Sequence, residues 1–279
     1  MNATNGKSLC VGRFAFMAPE TMMVNGRGQS IYSTAVEAVP LPADGLDAYW
    51  TTRLKRMGPE PRVFELETGV KAAWSARNPQ FPNILTIETA KPVEGAVLVA
   101  EREADAGKES IAETLVKVIL RSYVPASGFG FCVGSGALTV DPSINETARL
   151  TLGGRDLPEM ELQMETHTVG EPDLTTGSNV EEERAFVGGA GGTLRVLRDQ
   201  TRAAAGLEGK EIWISAEFPG EKPGLRFSWH YPGVAASGVL PSIHVVASAP
   251  LERRSRLELL WESVMVSLQR IPLNPPSDK

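Results

Sequence analysis

Apolar positions along this chain recur with two periods. In most segments every second residue is apolar, the mark of a strand with one buried face. RVFELE, NILTIETA and GAVLVAERE read as strands in the first half, after a β-like run IYSTAVEAVPL. MELQMETH, IWISAEF, LRFSWHY and SIHVVAS read as strands in the second, separated by turns such as PGEKPG and PGVAASGVLP. LRVLR and TRAAAG are expected to form a hairpin. Helical spacing is rarer. In DGLDAYWTTRLKRM, Leu46, Tyr49, Trp50, Leu54 and Met57 share a face, with Asp44 placed to cap it. GKESIAETLVKVILRSYV carries a stripe of Ile111, Leu115, Val118 and Ile119. SNVEEERAF reads as a polar helix. RSRLELLWESVMVSLQRI repeats most strongly, with Leu257, Leu260, Trp261, Val264, Met265, Leu268 and Ile271 on one side.

Strands joined by short turns pair antiparallel. The chain also resembles itself. LCVGRFAFMAPETMMVNGRG around Cys10 and FCVGSGALTVDPSINETARL around Cys132 both run Cys-Val-Gly, apolar stretch, proline, polar turn. Similarity at this domain-sized spacing points to two related domains rather than a solenoid. The expected architecture is α+β, with two similar domains, each an antiparallel sheet covered on one face by helices. The expected boundary lies in VPASGFG, giving 1–126 and 127–279.

Composition narrows the function. The 279 residues carry a net charge of −6, which argues against a nucleic-acid binder and against adsorption to an acidic membrane surface. No run approaches the roughly 20 apolar residues of a spanning helix. Two cysteines exclude a disulfide-dense scaffold and a four-thiolate zinc site.

Candidate chemistry is sparse. By strand period His167, His230 and His244 all fall on polar sheet faces. His230 and His244 could share a metal or acid–base site there, but no HxH or HExxH pattern accompanies them, so a solvated face is expected. Ser135 lacks the glycines of a hydrolase elbow, since Val133 and Ala137 flank it. The run Val187 to Thr193 is glycine-rich but has no phosphate-loop lysine, and reads as a flexible connection. Asn145-Glu146-Thr147 matches a glycosylation triplet that chance often produces. Glu181, Glu182 and Glu183 read as a solvated helix face or, more sharply, as an acidic contact for a basic protein. Cys10 and Cys132 sit in apolar strand-like runs, which suits buried thiols. A Cys10–Cys132 disulfide is the other option, requiring equivalent positions of the two halves to meet and an oxidising compartment. No catalytic, cofactor or metal-ligating residue is expected, and the residues alone describe a two-domain α+β protein without a recognisable active site.

One family shares these strings. CVGRFAFMAPETM at the start, then AAAGLEGKEIWISAEFPG, LRFSWHYPG, PSIHVVAS and LELLWESVMVSLQRIP, resemble the type VI secretion lipase immunity proteins. The resemblance implies a periplasmic inhibitor without cofactors whose partner is a cognate phospholipase effector, clasped between two domains so that its active site is occluded. Contacts would be expected from Glu181, Glu182, Glu183, Arg226, His230 and His244. MNATNGKSLCVGRF shows no apolar signal-peptide core, so a periplasmic location would make this the mature portion, with Met1 an added start. A periplasmic or envelope ligand-binding module with no lipase partner is the alternative.

Overall fold

The computed structural model is described over residues 6–58, 60–78, 80–125, 128–142, 145–156, 158–172 and 180–273. The chain opens with a hairpin of β1 (Gly6–Val11) and β2 (Phe14–Pro19). Val11 faces Phe14, so only Gly12 and Arg13 turn the corner. Gly12 takes φ +56° at the first turn position, a conformation that favours glycine in a two-residue hairpin. β3 (Met22–Ile31) and β4 (Thr34–Pro40) follow, then α1 (Gly45–Leu54), β5 (Arg62–Glu67) and β6 (Val70–Ser75). β7 (Ile84–Val93), β8 (Ala96–Asp105) and α2 (Glu109–Arg121) come next. The short strands β9 (Tyr123–Val124), β10 (Phe131–Val133) and β11 (Gly136–Leu138) repeat the opening device. Val133 faces Gly136, and Gly134 turns at φ +62°. The second half holds β12 (Thr147–Gly154), β13 (Glu161–His167), α3 (Val180–Gly189), β14 (Thr193–Ala204) and β15 (Leu207–Glu217). β16 (Gly224–Tyr231), β17 (Ser242–Pro250), α4 (Arg254–Ser267) and β18 (Gln269–Arg270) complete it.

The chain divides into two compact units, Met1–Arg27 with Pro142–Ile271, and Gly28–Asp141 with Pro272–Lys279. This differs from the cut expected between 126 and 127: the first Cys-Val-Gly hairpin groups with the C-terminal half of the chain. Ala126 and Ser127 themselves lie outside the described residues.

In the first unit the sheet order is β14-β15-β16-β17-β13-β12, antiparallel throughout. One face packs under α4 and the β1–β2 hairpin. Leu257, Leu260, Trp261, Val264 and Met265 of α4 are buried as the helical spacing requires, and Leu268 is buried just past its end. Fully burying a side chain of this size contributes about 1.5–3 kcal/mol. The expected helix extends to Ile271, but α4 ends at Ser267 and the chain turns extended to pair β18 with β2. Trp213 stacks on Phe227 at 4.0 Å between centroids, and Trp261 meets Phe227 edge-on at 6.0 Å. β14 is the outer strand, and its register slips between Val196 and Arg198. LRVLR and TRAAAG therefore lie on one strand, not on two. The true corner is Ala205-Gly206, both at positive φ, which turns β14 into β15.

In the second unit the order is β4-β8-β7-β6-β5, with the end of β3 pairing β4 through Ser30 and Ile31. The α+β class holds. The one-sided helix cover expected from sequence does not describe this unit. Trp50 of α1, with Met57 just past its end, packs onto Ala73, Ala90, Val97 and Val99. α2 lies against the opposite face, where Trp74 Nε1 donates to Glu113 at 3.0 Å and Lys91 Nζ donates to the Leu120 carbonyl at 2.7 Å. β7 shows why: Thr86, Ile87, Glu88, Thr89 and Ala90 are all buried, as in a strand covered on both sides. The buried face of α2 is Ala112, Val116, Ile119 and Leu120, whereas Ile111 and Val118 of the expected stripe are exposed.

Candidate functional site

The acidic run lies in the first turns of α3, and the structure brings it to Arg226 on β16. Glu183 accepts from Arg226 Nη1 at 2.7 Å, and Glu181 accepts from Arg184 Nη1 at 3.0 Å. Glu182 is not free either. The run is therefore largely neutralised within the chain rather than held out as a bare acidic patch. Beside it, a cavity of about 450 Å³ is lined by Val187, Ile214, Ala216 and Phe218, with Phe186 at its mouth, 74% exposed. The glycine run after α3 is hydrogen-bonded rather than loose. Gly192 N donates to the Val187 carbonyl at 2.8 Å, and a Cβ at Gly192 would stand 2.6 Å from the Glu217 carbonyl oxygen.

The histidines sit on the sheet face opposite α4. Strand register aligns Arg149, Glu165, His244, His230 and Lys210 in one row across five strands. His230 and His244 meet edge-on at 5.8 Å, and His230 Nε2 lies 3.3 Å from Ser242 Oγ. His167 is one step along, opposite Thr147 and Ser242. The alternation is as read from sequence, but the face is not solvated at His230, which is 3% exposed. Ser228, Ser242, Ile212 and Ile214 on the same face are buried as well. Among the described residues no group of three His, Cys, Asp or Glu side chains is placed to hold a metal. Ser135 occupies the second position of the β10–β11 turn.

Three features escaped the sequence reading. Glu211 on β15 is wholly buried beneath α4. It accepts from Trp261 Nε1 at 2.7 Å, Arg202 Nη1 at 2.8 Å and Gln200 Nε2 at 2.7 Å, with Arg198 Nη1 at 3.3 Å. Burial pushes its carboxyl pKa up, but hydrogen bonds from Trp261 and Arg202 and the Arg202 charge outweigh that, so the net shift is downward. Arg13 likewise forms a buried two-point pair with Glu146, at 2.9 and 2.8 Å. The third feature is a groove of about 960 Å³ along α4 and β2, floored by Met22 and Met160 and edged by Met17, Leu259 and Val266. Its signal was present in the sequence: Leu259 and Val266 are apolar residues of α4 that do not belong to the core stripe.

These arrangements offer surfaces for recognition. Comparison then gives them a context. Residues 125–255 match the family model described as "Tle cognate immunity protein 4 C-terminal domain". This segment is similar to the C-terminal domain of the Tle immunity proteins. The family resemblance read from the sequence is borne out here. No curated protein matches the chain. Solved structures match over nearly its whole length. A chain of "The crystal structure of Tle4-Tli4 complex" superposes with a TM-score of 0.78 at 15% identity, covering 98% of this chain and 99% of that one. The apo structure of the immunity protein TplEi of the type VI secretion system from Pseudomonas aeruginosa gives 0.73 at 18%, covering 97% and 99%. TplEi complexed with "L" peptide gives 0.70 at 16%, covering 96% and 99%. At these identities the likeness establishes a shared fold. Among the described residues no helix is long and apolar enough to cross a membrane.

Proposed function

We infer that this protein is an immunity protein that binds and inhibits a type VI secretion lipase effector, and that it acts without catalysis of its own. The family match over residues 125–255, within a fold shared with such proteins along nearly the whole chain, carries this reading. Inhibition by occlusion needs a shaped surface and no reactive group. A tight inhibitor complex buries about 1,600 Å² in total. The effector is clasped by the two units, a reading supported by the recurrence of the Cys-Val-Gly hairpin, once in each. Two contacts on one target also make the second one intramolecular and raise avidity.

The partner-facing surface on the first unit centres on α3. Glu181, Glu182 and Glu183 with Arg226 form an ion-paired platform around exposed Phe186. His230 is withdrawn from this role by its burial, and His244 is half-buried behind it. The location is the periplasm and Cys10 pairs with Cys132. In support, the structure leaves neither thiol free, and both cysteines hold the same hairpin position, opposite Ala15 and Ala137. An oxidising compartment would sustain the bond. The decisive assay mixes the purified protein with the lipase encoded beside its gene and measures phospholipid hydrolysis. Equimolar protein should abolish turnover; full activity at saturating protein defeats the reading.

A further inference from the structure

α4 carries two apolar faces. Its core stripe is buried against the sheet, yet Leu259 is 67% and Val266 is 80% exposed. The rest of the outer side is polar, with Arg254, Glu258 and Glu262, so these two exposed aliphatic residues form a second apolar contact surface. Arg256, Leu259, Ser263 and Val266 follow one another at i, i+3, i+7 and i+10, all facing the groove beside β2. This is the spacing with which one helix receives another. Small Ser263 between the two aliphatic residues lets a second backbone approach closely.

The rim adds a charge requirement. Arg155 and Arg256 are exposed and make no ion pair among the described residues. Glu262, the α4 acid that lines the groove, is held by Arg202 Nη1 at 2.8 Å and Nη2 at 2.7 Å. Among the described residues that line the groove, Asp156 is the acid left to offset the two guanidinium groups, so the groove has an apolar floor and a surplus of positive charge at its edge.

We propose that this groove receives an amphipathic helix of the effector, with apolar residues at i, i+3 or i+4, and i+7, flanked by a carboxylate that meets Arg155 or Arg256. The proposal rests on the immunity reading and names the segment chemistry it would engage. Helix-in-groove recognition takes its energy from such a stripe, and its orientation from the charges beside it.

The test compares full-length wild type with Leu259→Asp/Val266→Asp and with Arg155→Glu/Arg256→Glu. The probe is the purified lipase encoded next to the gene. All four positions are exposed, and melting curves and near-ultraviolet dichroism check that each variant keeps the native fold. The aspartate pair should weaken lipase affinity at least 100-fold. The glutamate pair should weaken it about 10-fold and flatten its salt dependence. Hydrogen exchange on the lipase should protect one helical segment with the stated stripe in wild type only. If wild type inhibits the lipase and the aspartate pair binds within threefold of it, the groove proposal fails and the immunity reading stands. If wild type does not bind the lipase, both fail. A protected loop or strand in place of a helix also overturns it. So does a wild-type dimer that the aspartate pair converts to monomer with lipase affinity kept, which would seat a second copy in the groove. Binding of phosphatidylglycerol vesicles lost in the aspartate pair, with lipase affinity kept, would assign the groove to lipid instead.

Discussion

Replacing Glu211 by Gln tests how the first unit is held together. The carboxylate is fully buried and satisfied by four donors, two on each oxygen. Trp261 and Arg202 donate to Oε1, while Gln200 and Arg198 donate to Oε2. A glutamine keeps one of these oxygens and turns the other into an NH₂ group facing two donors. It also removes the buried charge that faces Arg198 and Arg202 and leaves Arg202, whose side chain is 14% exposed, with only half-exposed Glu262. Breaking a buried pair from one side costs about 3–5 kcal/mol, because the remaining charge stays desolvated. At about 2–4 °C per kcal/mol for a protein of this size class, the melting temperature should fall by roughly 6–20 °C. Near-ultraviolet dichroism is a suitable probe, since Trp213, Trp229 and Trp261 all pack in this region. The acid limb supplies an independent check. Because the folded pKa of Glu211 lies below its unfolded value of about 4.3, its contribution is complete above that value. It is lost as pH falls through the folded pKa. Wild type should therefore lose stability below about pH 4 more steeply than Glu211→Gln. A variant within 1 kcal/mol of wild type, with an unchanged acid limb, would refute the argument.

Four further outcomes are expected. Glu262→Gln, at a side chain 46% exposed, should cost no more than about 1 kcal/mol by urea denaturation, which separates the buried carboxylate from its outer neighbour. Ala205→Gly should stabilise by up to about 1 kcal/mol, since Ala205 holds φ +54° in the β14–β15 turn; a loss of stability would show that its methyl matters more than its strain. Gly209→Ala should destabilise strongly or abolish folding, as its Cβ would stand 2.5 Å from Trp229 Cε2 and 2.7 Å from the His230 carbonyl oxygen; soluble, native-like expression contradicts it. Thiol titration of the periplasmically expressed, denatured, unreduced protein should find no free thiol, and reduction should cost about 4–5 kcal/mol for a loop of this length; two titratable thiols would dismiss the Cys10–Cys132 bond.

Much of the strand plan was legible. IWISAEF, LRFSWHY and SIHVVAS lie within or nearly fill β15, β16 and β17, and the core stripe of α4 is buried residue for residue through Leu268. The errors have physical causes. α2 carries two overlapping stripes, and the real one contains Ala112, whose small side chain gives little hydropathic weight but fits close against a sheet. β14 hides its identity because the bulge at Val196 and Arg198 shifts the alternation midway, and Asp199-Gln200 then imitates a turn. The strand period assigns His230 to the correct face, but that face is buried there rather than solvated. Period reveals which way a side chain points, not what later covers it. The Glu211 cluster was illegible for a related reason, since its members come from three separate elements. The one feature the sequence offered and the reading passed over was Leu259 with Val266, two apolar residues with no place in the core.

β14 closes one side of its sheet, and twelve residues is long for a strand with an open flank. Such a flank can nucleate end-to-end stacking of copies during folding. Here the register slip and the exposed guanidinium of Arg195 make the flank uneven and charged. Smoothing it, by straightening the slip and neutralising Arg195, would trade solubility for fibre formation well before it disturbed the native core.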